Sequence, residues 1–183
     1  QLRQRFNMTQ YWLSDIIFYL VYFYYGITGN IILRAALYVL LLILVIMRMK
    51  LLKVNFHIAF FLAGLMGYVL ITYIGDRPQI VSFFAGSALV LLLQDLNKKL
   101  QAGKYYSYSV IAIPLLMLLW ANLHGGFIMG IFILFVSLVS EISKNLIKKY
   151  TGREPGQVYH GRTLNIYAVV SLTAIAVSFI NPN

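Results

Sequence analysis

Long apolar runs alternate with short polar clusters along the whole chain, and this pattern constrains the fold more than any other feature. A helix that spans a membrane needs about 20 apolar residues, because its backbone must satisfy its own hydrogen bonds in hydrocarbon. Charged residues make up 11% of this chain, whereas a soluble domain contains about 25%. The pattern therefore predicts an all-α, polytopic bundle of transmembrane helices.

Six apolar runs are predicted as spanning helices, and a seventh, 11–25, has two interpretations. It is rich in Tyr, Phe and Trp, which collect at membrane–water interfaces, so it either spans the membrane or lies in the interface. We interpret 1–183 as a single transmembrane domain, with an aromatic interfacial segment at 1–28 and a helix bundle at 29–183. Within the bundle, 144–162 is predicted as a basic cytoplasmic loop. The six runs are 31–47, 57–74, 80–93, 107–119, 127–142 and 167–180.

The distribution of basic residues predicts which loops face the cytoplasm. One set of alternate loops contains eleven of the 15 Lys and Arg residues, and the other set contains only Arg77. Because cytoplasmic loops are enriched in Lys and Arg, the first set is predicted to be cytoplasmic. These short clusters between apolar runs do not indicate a nucleic-acid partner. The eleven are Arg48, Lys50, Lys53, Lys98, Lys99, Lys104, Lys144, Lys148, Lys149, Arg153 and Arg162.

The turn "GDRPQ" belongs to the opposite, non-cytoplasmic side, and it contains Asp76, Arg77 and Gln79. A guanidinium group forms bidentate hydrogen bonds with phosphate. Arg77 therefore either binds a phosphate or pairs with Asp76 while reaching toward lipid headgroups. The sequence favours neither interpretation.

The stretch "LLWANLHGGFIMG" is also predicted on the non-cytoplasmic side, with Asn122 and His124 before a pair of glycines that turn the chain. His124 either contacts a phosphate or carries a proton, or it hydrogen-bonds a neighbouring segment and holds the hairpin closed. Trp120 is interpreted as an interfacial anchor. Asp15 is either a carboxylate near the same surface or a helix cap or paired interfacial charge.

Taken in order, "WLSD", "DRPQ", "LLWANLHGG" and "INPN" resemble motifs of a large group of bacterial polytopic membrane proteins with a GT-C-like glycosyltransferase fold. The resemblance extends over nearly the whole chain. It implies an enzyme of the bacterial cytoplasmic membrane that takes a sugar from a polyprenyl-phosphate carrier on the non-cytoplasmic face. Such proteins usually have an additional membrane helix and an acidic outer loop upstream, and further helices downstream. The chain is therefore expected to be an internal piece of such a protein.

The resemblance also implies roles for individual residues. The catalytic candidates are Asp15, Asp76 and His124, and the carboxylates act as general base or bind a divalent metal. The expected partners are membrane lipid, a polyprenyl-phosphate sugar and other membrane subunits. Two alternatives remain: a non-catalytic subunit of a larger membrane complex, and a transporter or channel, which the scarcity of charge within the apolar runs disfavours. The candidate phosphate or substrate contacts are Arg77, Gln79, Trp120, Asn122, His124 and Asn181.

Overall fold

The computed structural model describes residues 11–71, 79–105, 107–152 and 161–181. Over these residues the chain forms six helices and no strand, which confirms the predicted all-helical class. The helices are α1 (Trp12–Leu51), α2 (Phe56–Ile71), α3 (Gln79–Gln101), α4 (Ser109–Leu123), α5 (Phe127–Thr151) and α6 (Arg162–Val177).

Three of the described helices, α1, α3 and α5, are long and apolar enough to cross a membrane. The other three, α2, α4 and α6, are apolar but contain 16, 15 and 16 residues. They are shorter than the roughly 20 residues that a perpendicular span requires. The described helices are therefore compatible with a multi-pass membrane protein. Six spanning helices were predicted from the sequence, and three of the described helices have the length of a full span.

Helix α1 is broken at Gly26, so its 40 residues do not form one straight rod. A straight helix of that length would measure about 60 Å, twice the roughly 30 Å of hydrocarbon in a bilayer. Gly26 has φ 62° and ψ −161°, a conformation that essentially only glycine adopts. A Cβ on Gly29 would lie 3.1 Å from Cγ1 of Val21. Because residues eight apart in a straight helix are about 12 Å apart along the axis, the chain bends sharply here.

Helix α5 is longer than the sequence indicated, which shortens the predicted basic loop. The segment 144–162 was predicted as a loop, but α5 continues through Lys144, Lys148 and Lys149 to Thr151. Lys, Glu, Leu and Ile are good or moderate helix formers, so the charged turns extend the apolar helix. Gly152 ends the helix with φ 67°, the left-handed conformation typical of a glycine C-cap.

The described residues form two compact units. The first contains the chain up to Ser87, with 122–125 and Asn181, and here α1 packs against α2. Leu41 and Ile80 are buried at its centre. These two side chains lie far apart in sequence, so their burial joins α1 to the start of α3. Partly buried apolar side chains surround them, namely Leu37, Tyr38, Val45, Met66 and Val81.

The second unit comprises the described parts of Ala88–Ala121 and Gly126–Ile180, in which α5 packs against α6. Each of its helices buries one face, as expected from a period of 3.6 residues. Gly130 makes a close contact between α5 and α4: a Cβ there would lie 2.7 Å from Sδ of Met117 and 2.7 Å from the Trp120 ring. The buried positions include Leu89, Leu93, Leu96 and Leu100 of α3, Ile113, Met117 and Trp120 of α4, and Tyr167, Val170, Ser171 and Ala174 of α6.

Large apolar side chains cover the exposed faces of the helices. In α2, Phe60 and Tyr68 are each 71% exposed, whereas the small residues Ala59 and Ala63 are buried. Soluble proteins rarely expose contiguous apolar patches of more than a few hundred Å². Small residues at helix contacts and large apolar residues outside are typical of helices in lipid.

Candidate functional site

The turn between α4 and α5 carries the two polar side chains that the sequence singled out there. Helix α4 ends at Leu123 and α5 begins at Phe127, so His124 and the two glycines form the connection. Asn122 lies in the last turn of α4 and is 8% exposed, while His124 is half-buried. Both residues belong to the first unit, together with α1, α2 and the start of α3.

The start of α1 is hydrogen-bonded to this turn at two points. Nε1 of Trp12 donates to Oδ1 of Asn122 at 3.1 Å. The Ser14 hydroxyl donates to the backbone carbonyl of Leu123. That carbonyl belongs to the last turn of α4, where carbonyl groups lack an intrahelical partner. The two bonds therefore satisfy buried polar groups of α4 with side chains of α1.

His124 is held between α1 and α3. The Ser82 hydroxyl lies 2.6 Å from Nδ1 of the imidazole. The Tyr11 ring stacks on the imidazole, with 5.0 Å between ring centroids and 23° between the ring planes. Desolvation by burial lowers the pKa of His124 below its ordinary value of 6.5. The imidazole is therefore neutral at neutral pH, with one ring nitrogen protonated.

We refer to Tyr11, Trp12, Ser14, Ser82, Asn122 and His124 as the turn cluster. It joins three parts of the chain: the start of α1, the start of α3 and the turn after α4. Its groups are neutral amides, hydroxyls and aromatic rings. Such groups bind oxygen-rich ligands by hydrogen bonding, and a neutral histidine can in addition accept or donate a proton.

The other predicted site residues differ in how they relate to the turn cluster. Asp15 follows Ser14 in the first turn of α1, and its side chain is exposed. Gln79 is the first residue of α3, three positions before Ser82, and is also exposed. Asn181 is half-buried and belongs to the first unit. Asp76 and Arg77 lie outside the described residues.

Trp120 is a core residue of the second unit. The sequence predicted it as an interfacial anchor and a substrate contact, but its side chain is 1% exposed and packs at Gly130. A glycine at this position of α5 leaves room for the indole ring. The local sequence shows an aromatic residue near a helix end, and the packing partner comes from the next helix.

Four members of the turn cluster were not identified from the sequence, namely Tyr11, Trp12, Ser14 and Ser82. Nothing local distinguishes Ser82 from the other serines of apolar helices. Arg34 is a basic residue inside an apolar run, and it belongs to neither set of predicted loops. Its guanidinium lies over the Phe18 ring, 5.5 Å from the centroid. A charged residue among apolar ones is itself a signal of function.

Within the described parts of the chain, no three His, Asp or Glu side chains lie close enough together to hold a metal ion. No family model matches the sequence, no curated protein matches it, and no solved structure matches its fold.

Proposed function

We propose that this chain is part of a GT-C-like integral membrane glycosyltransferase that uses a polyprenyl-phosphate-linked sugar. The observation that carries the proposal is the turn cluster, in which the "WANLHGG" residues Asn122 and His124 meet side chains from "YWLS" and from the helix after "DRPQ". Two sequence motifs that are far apart along the chain thus contribute to one polar site. An enzyme that acts on a polar headgroup at a membrane surface needs polar side chains gathered at one place, and the presence of the turn cluster supports the proposal on this ground.

We place the turn cluster on the non-cytoplasmic face of a bacterial cytoplasmic membrane. Support comes from the basic last turns of α1, α3 and α5. Basic residues mark the cytoplasmic ends of membrane helices, so the starts of these helices belong to the other side. The basic residues in question are Arg48 and Lys50, Lys98 and Lys99, and Lys148 and Lys149.

We also place 12–25 in the outer interface rather than across the membrane. The break at Gly26 leaves this part shorter than the roughly 20 residues of a span. The remaining part, 27–51, exceeds that length. Tyr24 and Tyr25 are 71% and 73% exposed, and tyrosine favours the headgroup region. This position keeps Trp12 and Ser14 at the turn cluster.

The proposed reaction is an inverting transfer. The oxygen of an acceptor hydroxyl forms a bond to the anomeric carbon, and the bond between that carbon and the phosphate oxygen breaks. Asp15 or Asp76 takes the proton of the acceptor hydroxyl, and polyprenyl phosphate leaves. Stabilising the leaving phosphate is the main electrostatic task, and we assign it to Arg77 and His124.

Sugar transfer by the chain in proteoliposomes tests this proposal. We expect His124→Ala and Arg77→Ala each to lower the transfer rate about 100-fold, the effect of removing one preorganised donor. Ser171→Ala is the matched control, because this buried hydroxyl has no hydrogen-bond partner among the described residues and belongs to the second unit. Unchanged transfer in Arg77→Ala, His124→Ala and Asp76→Ala would exclude catalysis at this site.

A second candidate function is that of a non-catalytic subunit in a larger membrane complex. The observation that favours it is that Asn122 and His124 hydrogen-bond side chains of this same chain. A purely structural role would need no more than these bonds. Stable co-purification with other membrane proteins, without sugar transfer and without bound polyprenyl lipid, would support this candidate over the transferase.

A further inference from the structure

We propose that one end of the second unit is a binding surface for the headgroups of anionic lipids. The surface lies where α3 and α5 end and α6 begins, and Ser82 of the turn cluster lies at the other end of α3. It therefore goes beyond the proposed sugar transfer and does not depend on it. We refer to this surface as the basic end, and it consists of Lys98, Lys99, Lys104, Lys149 and Arg162.

Two hydroxyl groups tie the start of α4 to the end of α3. The side chains of Ser107 and Ser109 both donate to Oδ2 of Asp95, at 3.1 Å and 2.7 Å. Lys99 follows Asp95 by one helical turn. Lys104 lies three residues before Ser107 in the loop between the two helices. These bonds therefore hold the loop with Lys104 next to the basic last turn of α3.

A cation–π contact brings the start of α6 to the same loop. The Arg162 guanidinium lies over the Tyr105 ring, 4.7 Å from its centroid. Helix α6 also packs against α5. A connection of three residues makes α4 and α5 antiparallel neighbours, so the start of α4 lies beside the second half of α5. The ends of α3 and α5 and the start of α6 therefore meet at one end of the second unit.

The positive charge of the basic end is not balanced by carboxylates of the second unit. The described parts of this unit contain seven Lys and Arg residues and two acidic residues. Glu141 pairs with Lys144, whose Nζ lies 2.6 Å from Oε1, and Asp95 accepts the two hydroxyl groups. Among the described residues, no carboxylate forms an ion pair with a member of the basic end. Four of its five side chains are exposed, and Lys99 is half-buried.

Exposed tyrosine and aliphatic side chains next to the basic end indicate that the anion belongs to a lipid. Tyr108 and Tyr150 are exposed, and tyrosine favours the headgroup region of a membrane. One turn further into α4 and α5, Ile111 and Leu146 are exposed as well. Basic clusters directly beside a membrane helix attract anionic lipids. A nucleic acid or an acidic protein in water would not require this apolar border.

Tyr105 is the positioning residue of this surface. Its ring lies against the Arg162 guanidinium and restricts the movement of a long side chain that is otherwise exposed. A guanidinium over an aromatic ring keeps the N–H groups at its edge, and these form bidentate hydrogen bonds with phosphate. Arg162 is therefore the member of the basic end that we expect to contact a lipid phosphate in a fixed geometry.

Native mass spectrometry of the purified full chain, titrated with phosphatidylglycerol or phosphatidylcholine of equal chain length, tests the proposal. We expect phosphatidylglycerol to bind about tenfold more tightly. Arg162→Gln and Lys104→Gln should each weaken its binding about fivefold, equivalent to about 1 kcal/mol. Lys50→Gln is the matched control, because it removes the same charge from the first unit. Equal binding of the two lipids, or binding that is unchanged in both basic-end variants, would overturn the proposal.

Substitution of Tyr105 separates a built site from the effect of net charge. Tyr105→Ala keeps every charge of the chain, and we expect it to weaken phosphatidylglycerol binding about threefold through loss of the cation–π contact. Tyr105→Phe keeps the ring and should bind as the unsubstituted chain does. Thermal unfolding in detergent checks that both variants are folded. Equal binding by folded Tyr105→Ala and Tyr105→Phe would refute the positioning role.

Competition experiments separate a lipid surface from sites for other anions. We expect inorganic phosphate, polyglutamate and single-stranded DNA to leave bound phosphatidylglycerol in place. Displacement by any of them would overturn the lipid assignment in favour of that competitor. The outcome is also distinct from that of the transferase proposal. Binding that depends on Arg162, without sugar transfer, supports this inference and removes the transferase, whereas sugar transfer by a chain that does not prefer phosphatidylglycerol overturns this inference alone.

Discussion

At the scale of single residues, His124 shows how burial and packing define the state of a titratable group. Desolvation lowers its pKa, because a charged imidazolium loses hydration that the turn does not replace. The Ser82 hydroxyl and the Tyr11 ring hold the imidazole in one position. The residue therefore remains neutral under conditions in which an exposed histidine begins to gain a proton.

The lowered pKa of His124 predicts that acid destabilises the folded chain through this residue. Well above pH 6.5 the imidazole is neutral in both folded and unfolded states, so it contributes no pH dependence. Below that value the unfolded state gains the proton first, and stability is lost as the pH falls toward the folded pKa. We expect Tm in detergent to fall between about pH 7.5 and about pH 5.5, and to fall less in His124→Gln. Identical pH slopes for both proteins would contradict this prediction.

Gly130 is a second residue whose environment allows little change. A Cβ there would lie 2.7 Å from the Trp120 ring and 2.7 Å from Sδ of Met117, and the ring is fully buried. We expect Gly130→Ala to destabilise the chain by about 1–3 kcal/mol, the typical cost of overpacking. Thermal unfolding in detergent measures this. Gly64→Ala is the matched control, since the added methyl group would have no described atom within 4 Å apart from its chain neighbours and the nearby backbone of its own helix. Equal stability of the two variants would refute the close contact.

At the scale of elements, the break in α1 allows Trp12 and Ser14, at the start of the helix, to contact the turn after α4. Without it, a straight helix would carry Trp12 and Ser14 away from the segment 27–51. The bend brings Phe18 and Arg34, on either side of Gly26, into cation–π contact. Such contacts contribute about 0.5–1 kcal/mol at exposed sites and more where the cation is desolvated. The bend therefore also places the Phe18 ring against Arg34, a basic residue inside an apolar run.

Substitution of the glycines tests this bend. We expect Gly26→Ala to cost about 1–3 kcal/mol, since φ 62° with ψ −161° is strained for a residue with a Cβ. Gly29→Ala should also destabilise, because its Cβ would lie 2.5 Å from Cβ of Tyr25. Gly67→Ala is the control, because its Cβ would meet no described atom within 4 Å outside its chain neighbours and the nearby backbone of its own helix. Thermal unfolding and fluorescence quenching of Trp12 would report stability and the position of the α1 start. Unchanged values in both bend variants would contradict the break.

At the scale of the whole molecule, the charge pattern predicts how the chain crosses the membrane. The three long helices end in basic turns, and they alternate along the sequence with shorter apolar helices. If all six cross, the starts of α1, α3 and α5 share one side and their basic ends share the other. The contacts of Trp12, Ser82 and Asn122 agree with this alternation, because they bring the starts of α1 and α3 to the turn that precedes α5.

Cysteine labelling tests this topology directly, because the chain contains no cysteine. We expect Gln79→Cys, at the exposed start of α3, to react in intact cells with a maleimide that does not cross membranes. Lys50→Cys, Lys99→Cys and Lys149→Cys should react only after the cells are permeabilised. The unsubstituted chain provides the background signal. Labelling of Lys99→Cys from outside would reverse the proposed orientation.

Much of the fold was predictable because it depends on local composition. Apolar runs of helical length predict membrane helices, because in hydrocarbon the backbone must form all its hydrogen bonds within the segment. The lengths and compositions of α1, α3 and α5 agree with this expectation. The sequence separated the segment 11–25 from the apolar run 31–47, but it did not indicate that Gly26 is the residue at which α1 breaks, and the extension of α5 to Thr151 was not predicted. The position of the break depends on a backbone conformation that more than one glycine of this region could adopt. The extension of α5 depends on charged residues that are compatible with both helix and loop.

The candidate site was only partly predictable. Asn122 and His124 are conspicuous as polar residues in an apolar stretch. The sequence alone therefore determined that the turn after α4 contributes polar side chains to the candidate site. Trp12, Ser14 and Ser82 are ordinary helix residues whose relevance depends on partners as many as 110 positions away. Only the tertiary structure decided those pairings. The physical reason is that hydrophobicity is read from each residue's own side chain, whereas a hydrogen bond depends on the relative positions of two groups that packing brings together.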